Sequence, residues 1–435
     1  MMGAAGCKAT ASPSEAPPPI IVVDMDTFRA DRMGAPGLTP NLDRFAKESV
    51  VFDNAYATAN ETLFSHASLF TSRYASELSP VDYGFTLPKD IPTLAEVLRN
   101  YGYQTGAAVA GGHMTPEFGY GKGFDAYESS TNWGSLFHTM PLAEKWLKSI
   151  DIESPFLLWL HGYDTHHRYL KPSPIGYLRA ELSEGSTVQK VAIDANGTTH
   201  VVDGIYYPDA ELTHLLDMRA LRVRSEKARQ KTREVAQEHG EKSLPLSDSD
   251  IAYLGDVYDG AVIYADVMFG LWVEKLKNLG IFDRSIVIVL SDHGEHVGED
   301  GLFNHRYNLD DNTTHVPLIV RMPGGLHGGT HVSTLVSLID VMPTLLDAAN
   351  AVHPADIHGR SLWPLLQKGA PISEIPVFSE GTFREVTVRS SEGRLTFSGL
   401  GADSPFLLPM LTSSRLEGPS FQGSEGLPSE SYEKM

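Results

Sequence analysis

The stretch IIVVDMD, residues 20–26, is a run of β-branched residues that ends in two carboxylates, Asp24 and Asp26. IVIVLSDH, residues 286–293, ends in Asp292 and His293, and FLLWLHGYDTHH delivers His161, Asp164, His166 and His167. His305 follows a loop later, in LFNHRY. Short apolar runs of this kind read as buried strands of a mostly parallel sheet. In an open sheet of that type, ligands bind beyond the C-terminal strand ends. Taken singly, a loop His is usually exposed and an Asp after a strand is usually a turn residue. Three strands delivering oxygen and imidazole donors to one edge make a stronger case. Such donors suit one divalent ion, Zn²⁺, Mn²⁺, Mg²⁺ or Ca²⁺, and no thiolate is at hand for softer metals.

ETLFSHASLFTSRY, residues 61–74, raises a separate question. Thr is a favoured N-cap, and the ten residues after Thr62 can be helical. A hydroxyl at a helix N-terminus also sits among oriented N–H donors, where anions bind. Beside a metal it becomes a usable nucleophile. Locally the cap reading wins, and whether Thr62 is also a nucleophile depends on what the rest of the chain brings to it.

The elements that must position these groups alternate. Thr39-Pro40 opens a helix with Leu42 and Phe45 on one face, and SVVFDNAYA reads as a strand. IPTLAEVLRNYGY is a helix closed near Gly102, followed by the strand QTGAAVAG. PLAEKWLKSI and residues 250–279 are further helices, VPLIVRM a strand, and LVSLIDVMPTLLDAAN a helix. Strands alternating with helices predict an α/β fold, a mostly parallel central sheet with helices on both faces. Residues 168–250 break the rhythm and read as an insertion. It holds a hairpin around DANGTTH and a charged helix whose Arg and Lys are interleaved with Glu and Gln. From residue 371 a small antiparallel C-terminal subdomain is expected, after a catalytic domain over 20–370.

The chain has 435 residues, a formal net charge of -20 and one cysteine, Cys7. That charge excludes a nucleic-acid partner, which needs a basic face, and a lone cysteine excludes an intramolecular disulfide. Nothing reaches the ~18 unbroken apolar residues of a membrane span. Residues 1–19 read as a tether: small residues lead to Cys7, and Ser, Ala and Pro follow. The segment resembles a bacterial lipoprotein signal with Cys7 as the lipidated residue, which implies the cell envelope or secretion. An ordinary disordered N-terminus is the other reading.

VVDMDTFRADRMG, TPNLDRFAKESVVFDNAYA, SHASLFTSRY, SDHGEHVGEDGLFNH, HVPLIVRMPGG and LIDVMPTLLDAA together resemble the sulfatase family of the alkaline phosphatase superfamily. The likeness runs from about residue 20 to 395 in the family's order. It implies a divalent metal held by Asp26, Asp292 and His293, with Thr62 at the nucleophile position and as a further ligand. His166 and His305 match substrate-contacting positions, and Arg73 the Arg that follows the nucleophile helix. Thr27 stands where many members have a second metal-binding Asp, and Asp24 precedes the family position. The family's C-x-P-x-R pattern is absent: the segment reads Thr62-Leu63-Phe64-Ser65-His66. No formylglycine is expected, because the known route starts from Cys or Ser. The resemblance thus implies a metal-dependent hydrolase of sulfuric or phosphoric esters, with Thr62 favouring phosphoester hydrolysis or phosphotransfer. Its substrate would be a small-molecule, glycan or lipid-linked anionic ester. The alternative is an inactive member that binds an anionic glycan or lipid headgroup.

Overall fold

A computed structural model of the chain describes residues 17–78, 84–130, 133–166, 248–299, 302–306, 308–381 and 385–397, and four short strands between 179 and 206. Ile20–Met25 is buried along its whole length and pairs in parallel with both Ile286–Leu290 and Phe156–Gly162. Gln104–Val109 and Ala126–Ser129 extend the parallel part beyond Phe156–Gly162. On the other side Leu318–Arg321 runs antiparallel to Ile286–Leu290 and to Val50–Phe52, and Thr330–Val332 closes the eight-stranded sheet.

Successive strand residues point to opposite faces, and the two cores follow that alternation. Ile20 and Val22 face a core closed by the helices Thr62–Thr71, Leu94–Asn100 and Val341–Ala348. Ile21, Val23 and Met25 face another, closed by Pro40–Ala46, Leu136–Leu147 and Asp248–Asn278. Gln104–Val109 packs closely on Leu136–Leu147: a Cβ on Gly106 would lie 2.3 Å from the Trp146 ring. Only glycine fits there.

Three elements depart from the sequence reading. SVVFDNAYA forms two short strands, Val50–Phe52 and Ala55–Tyr56, broken at Asp53-Asn54. The helix expected from Pro141 starts a turn earlier, at Leu136, and carries Pro141 inside it. A reciprocal Ser135–His138 capping box and the buried Leu136, Ala143 and Trp146 outweigh the hydrogen bond that proline forgoes. The helix expected over 335–350 shrinks to Val341–Ala348, because Val336–Ser337 pairs with Ala55–Tyr56 instead.

Val191–Ile193 and Thr199–Val201 pair antiparallel, as the hairpin reading expects. Cys7, His167, the charged segment of the insertion and the residues after 397 lie outside the described residues. Val377–Glu380, Val386–Ser390 and Gly393–Phe397 form the small antiparallel sheet. It is fastened to the body by Ser379, whose hydroxyl donates to the Ala57 carbonyl at 2.6 Å, and by Arg389 donating to the Leu309 carbonyl at 2.6 Å. Among the described residues no helix is long and apolar enough to cross a membrane.

Candidate active site

Because Ile20–Met25, Phe156–Gly162 and Ile286–Leu290 are parallel neighbours, the residues just past their C-terminal ends share one edge. Asp26, Asp292 and His293 meet there, fully buried, each offering a ligand atom within 4.8 Å of the others. His293 Nδ1 faces the Gly294 carbonyl at 2.9 Å, so it carries a proton and Nε2 presents a lone pair in the neutral ring. That Nε2 lies 3.4 Å from Asp292 Oδ2. Asp26 Oδ1 and Asp292 Oδ2 are buried with no hydrogen-bond partner. Burial raises the pKa of both carboxyls. Burial lowers that of His293, but Asp292 and Asp26 outweigh it and the net shift is upward. Unpartnered carboxylate oxygens beside an imidazole lone pair, all dry, are a set that draws in positive charge. A divalent ion fits this set, and the Gly294 contact supplies the outer-shell orientation such a histidine needs.

Thr62 joins the same set. Its hydroxyl donates to Asp26 Oδ2 at 2.9 Å and lies 3.3 Å from His293 Nε2. The expected cap role is corrected: Glu61 is the N-cap, Thr62 is the first helical residue, and its hydroxyl turns to Asp26. All ten residues of Thr62–Thr71 are buried, which explains the small hydroxyl-rich sequence. Ser68 and Thr71 return their hydroxyls to the carbonyls of Phe64 and Ala67, while Ser65 donates to the Asp292 carbonyl at 2.7 Å. That last bond ties the Thr62–Thr71 helix to the loop that carries Asp292 and His293.

Sequence reading missed the group behind the ligands. His66, one turn after Thr62, has Nε2 2.7 Å from Asp24 Oδ2 and Nδ1 2.9 Å from the Thr62 carbonyl. Burial lowers its pKa, but Asp24 and Asp292 raise it more, to about 9. A cation therefore occupies the place where the family pattern has Arg. Asp24 pairs with this histidine, and His161 Nε2 lies 3.6 Å from Asp26 Oδ2. The only signal for His66 was its place in the x-x-x-x-R register.

His305 and His166 are both brought to the site. The His305 ring is 4.3 Å from that of His293 and 5.2 Å from that of His166. His305 Nδ1 lies 3.3 Å from the buried Glu295 carboxylate, a partner that orients the ring. Glu61 pairs with Arg306 at 3.1 Å on the same side.

Two of the expected residues, Asp164 and Arg73, lie elsewhere, whereas Thr27, which offers no carboxylate, keeps its backbone N–H 3.4 Å from Asp292 Oδ1. Asp164 accepts from the Leu136 N–H at 2.9 Å and so caps a helix start. Thr27, at a φ of 60°, donates its hydroxyl to the Asp26 carbonyl at 2.6 Å. Arg73 follows the far end of the ten-residue helix, about 15 Å from Thr62 at ~1.5 Å per residue. Its guanidinium donates to the Ala355 carbonyl at 3.0 Å. The expected role of Arg73 in the site is thus corrected. Arg73→Ala is expected to change stability by about 0.5 kcal/mol and to leave turnover at the wild-type level. Steady-state kinetics of the purified variant check this, and a collapse of kcat would restore Arg73 to the site.

Comparisons with known proteins bear on the family and the fold. The sulfatase family model matches residues 18–351. N-acetylglucosamine-6-O-sulfatase of Bacteroides thetaiotaomicron is 24% identical over 389 residues, covering 76% of this chain and 66% of the relative. Human arylsulfatase K is 39% identical over 100 residues, covering 23% of this chain and 18% of the relative. The chain thus spans less than two thirds of the length of these relatives. Among solved structures, a protein in complex with its substrate D-glucosamine-2-N,6-O-disulfate superposes with a TM-score of 0.63 at 21% identity, covering 86% of this chain and 87% of that one. Phosphonate monoester hydrolase of Agrobacterium radiobacter superposes with a TM-score of 0.63 at 19% identity, covering 88% and 87%. With a family model matched over residues 18–351, more than half of the chain, the chain belongs to the sulfatase family.

Proposed function

We propose that the protein hydrolyses an anionic ester with Thr62 as the nucleophile, and that phosphoesters are turned over in preference to sulfate esters. The observation that carries this reading is the Thr62 hydroxyl, held 2.9 Å from Asp26 and 3.3 Å from His293 in a buried cation-seeking pocket. Asp26, Asp292 and His293 would hold one divalent ion, with Thr62 Oγ1 as a further ligand. Bound there, the ion would lower the pKa of the hydroxyl and offset charge on the transferring group.

The residues of the chain supply the rest. Thr62 Oγ1 attacks phosphorus, the bond to the leaving alcohol breaks, and the proton lost by Thr62 equals the one the alcohol takes up. Asp26 Oδ2 already accepts that hydroxyl hydrogen. With Nδ1–H of His305 held by Glu295, a protonated His305 can give its Nε2 proton to the leaving alcohol and later take one back from the attacking water. Water then attacks the phosphothreonine, the P–Oγ1 bond breaks, and Thr62 recovers its proton. His66 remains the fixed positive partner of Asp24 behind these steps.

Thr62 decides between the two acids. Family members cleave sulfate esters through an aldehyde hydrate that expels sulfate by collapsing to the aldehyde. A threonyl sulfate has no such route. A phosphothreonine can be resolved by water in line with the leaving oxygen. Relatives named for N-acetylglucosamine-6-O-sulfate and aryl sulfates support an ester of a ring-bearing alcohol.

The test is a matched pair of aryl phosphate and aryl sulfate, with the phosphodiester alongside. Phosphoester kcat/KM is expected to exceed that of the sulfate by about tenfold or more, or about 1.4 kcal/mol in the barrier. Faster cleavage of the sulfate ester would overturn the preference.

A further inference from the structure

The run SDHGEH, residues 291–296, ends in Glu295 and His296, both fully buried. Glu295 holds the His305 ring through Nδ1 at 3.3 Å. His296 has other partners. A buried histidine is most often a satisfied core residue, but these partners lead back to the same catalytic ring. His296 pairs with Asn304 in the short antiparallel hairpin of His296–Val297 and Phe303–Asn304. Its Nδ1 lies 3.1 Å from the Asn304 carbonyl and, because a carbonyl only accepts, Nδ1 is the donor. Its Nε2 lies 2.8 Å from Asp310 Oδ2. Asp310 is fixed in turn, since Asn308 Nδ2 donates to the same oxygen at 2.8 Å and the Asn312 N–H to the other at 3.0 Å.

The Asn304 carbonyl belongs to the peptide unit that carries His305. The N–H of that unit donates to Asn304 Oδ1 at 2.7 Å. Both polar groups of one planar peptide are therefore held by side chains, which fixes the orientation of its plane. Phe303–Asn304 ends here, so His305 is the first residue past the strand. Asn304 makes the turn at a φ of 74°, a left-handed conformation that Asn adopts more readily than most residues. The His305 ring, 4.3 Å from that of His293, is thus set twice: at its backbone through His296 and at Nδ1 by Glu295.

A proton reaches a leaving alcohol only from a donor within hydrogen-bond reach, and a misplacement of ~1 Å can cost about 10²-fold. We infer that His296 is the positioning residue of His305: it ties the Asn304–His305 peptide to Asp310 and so presents the His305 ring to the leaving alcohol. The inference rests on the reading of His305 as the acid that protonates this alcohol. It deepens that reading by naming the side chain through which the acid is placed.

Leaving-group dependence of kcat/KM in the full-length, metal-loaded protein tests it. The probes are phenyl phosphate, whose alcohol needs a proton to leave, and 2,4-dinitrophenyl phosphate, whose alcohol leaves without one; the matching sulfates replace them should those be the faster pair. His305→Ala should slow the phenyl ester by about 10²-fold or more, the scale of general acid catalysis, and the dinitrophenyl ester by far less. His296→Gln should show the same selectivity on a smaller scale, about tenfold against less than about threefold. His296→Asn, whose amide nitrogen can stand near the place of Nδ1 and donate to the Asn304 carbonyl, should recover part of the loss. The double variant His296→Gln/His305→Ala should be no slower on the phenyl ester than His305→Ala alone, because both changes remove one function. Activity on the dinitrophenyl ester reports in each variant that the site is folded. Equal slowing of both esters by His296→Gln, no slowing of either, or additive losses in the double variant would overturn the positioning role while His305 stands as the acid. Equal slowing of both esters by His305→Ala would instead remove the acid itself, and the inference with it.

Discussion

Thr62→Ala is expected to lower kcat on the order of 10⁴-fold, equivalent to about 5.5 kcal/mol of barrier, because removing a nucleophile leaves only binding and electrostatic stabilisation. Thr62 is 1% exposed and its hydroxyl is bonded to Asp26, so no solvent-borne oxygen stands in its place by default. Thr62→Ser keeps the attacking oxygen and loses only a methyl group, and should keep most of the activity. The fold should survive both changes, since the Glu61 carbonyl, not the Thr62 side chain, receives the first helical N–H groups. Steady-state kinetics with circular dichroism on the three proteins check this. An alanine variant as fast as wild type would remove Thr62 from the mechanism.

The second large effect concerns the ion. Asp292→Asn is expected to weaken divalent-metal binding by at least about 10²-fold, since even outer-shell changes at metal sites reach that scale. Asn keeps the shape and hydrogen-bonding capacity of the side chain but removes the negative charge that opposes burial. The metal-free variant should therefore be no less stable than metal-free wild type. On adding ion, wild type should gain about 2.7 kcal/mol at a concentration of 100 Kd, and the variant almost nothing at the same concentration. Thermal unfolding with and without chelator reads both arms. Equal metal-induced stabilisation of the two proteins would take Asp292 out of the ligand set.

Much of this was legible in the chain because buried parallel strands announce their own ends. IIVVDMD and IVIVLSDH change from apolar to ionisable within a residue or two, which placed Asp26, Asp292 and His293 at one edge without knowledge of the intervening loops. What stayed hidden depended on long-range partners. Thr62 read as a cap because local propensity favours it; its hydroxyl instead answers to Asp26, 36 residues away. His66 looked like a departure from the family pattern, and only its pairing with Asp24 shows that a positive charge is kept there. Arg73 was drawn into the site by its place in a motif, yet ten helical residues carry it to the far end. Asp164 had the right type and place for a ligand, but an open helix start at Leu136 claims it first.

The claim on which the rest depends is that Thr62 itself takes up the transferred group. It is tested most directly by acid-quenching the metal-loaded protein during turnover of a phosphoester and mapping covalent phosphate by peptide mass spectrometry. The account predicts phosphothreonine at Thr62, formed and lost at rates consistent with turnover and absent from Thr62→Ala. Sustained turnover with Thr62 unmodified at every quench time, or phosphate found on another side chain in its place, would contradict it.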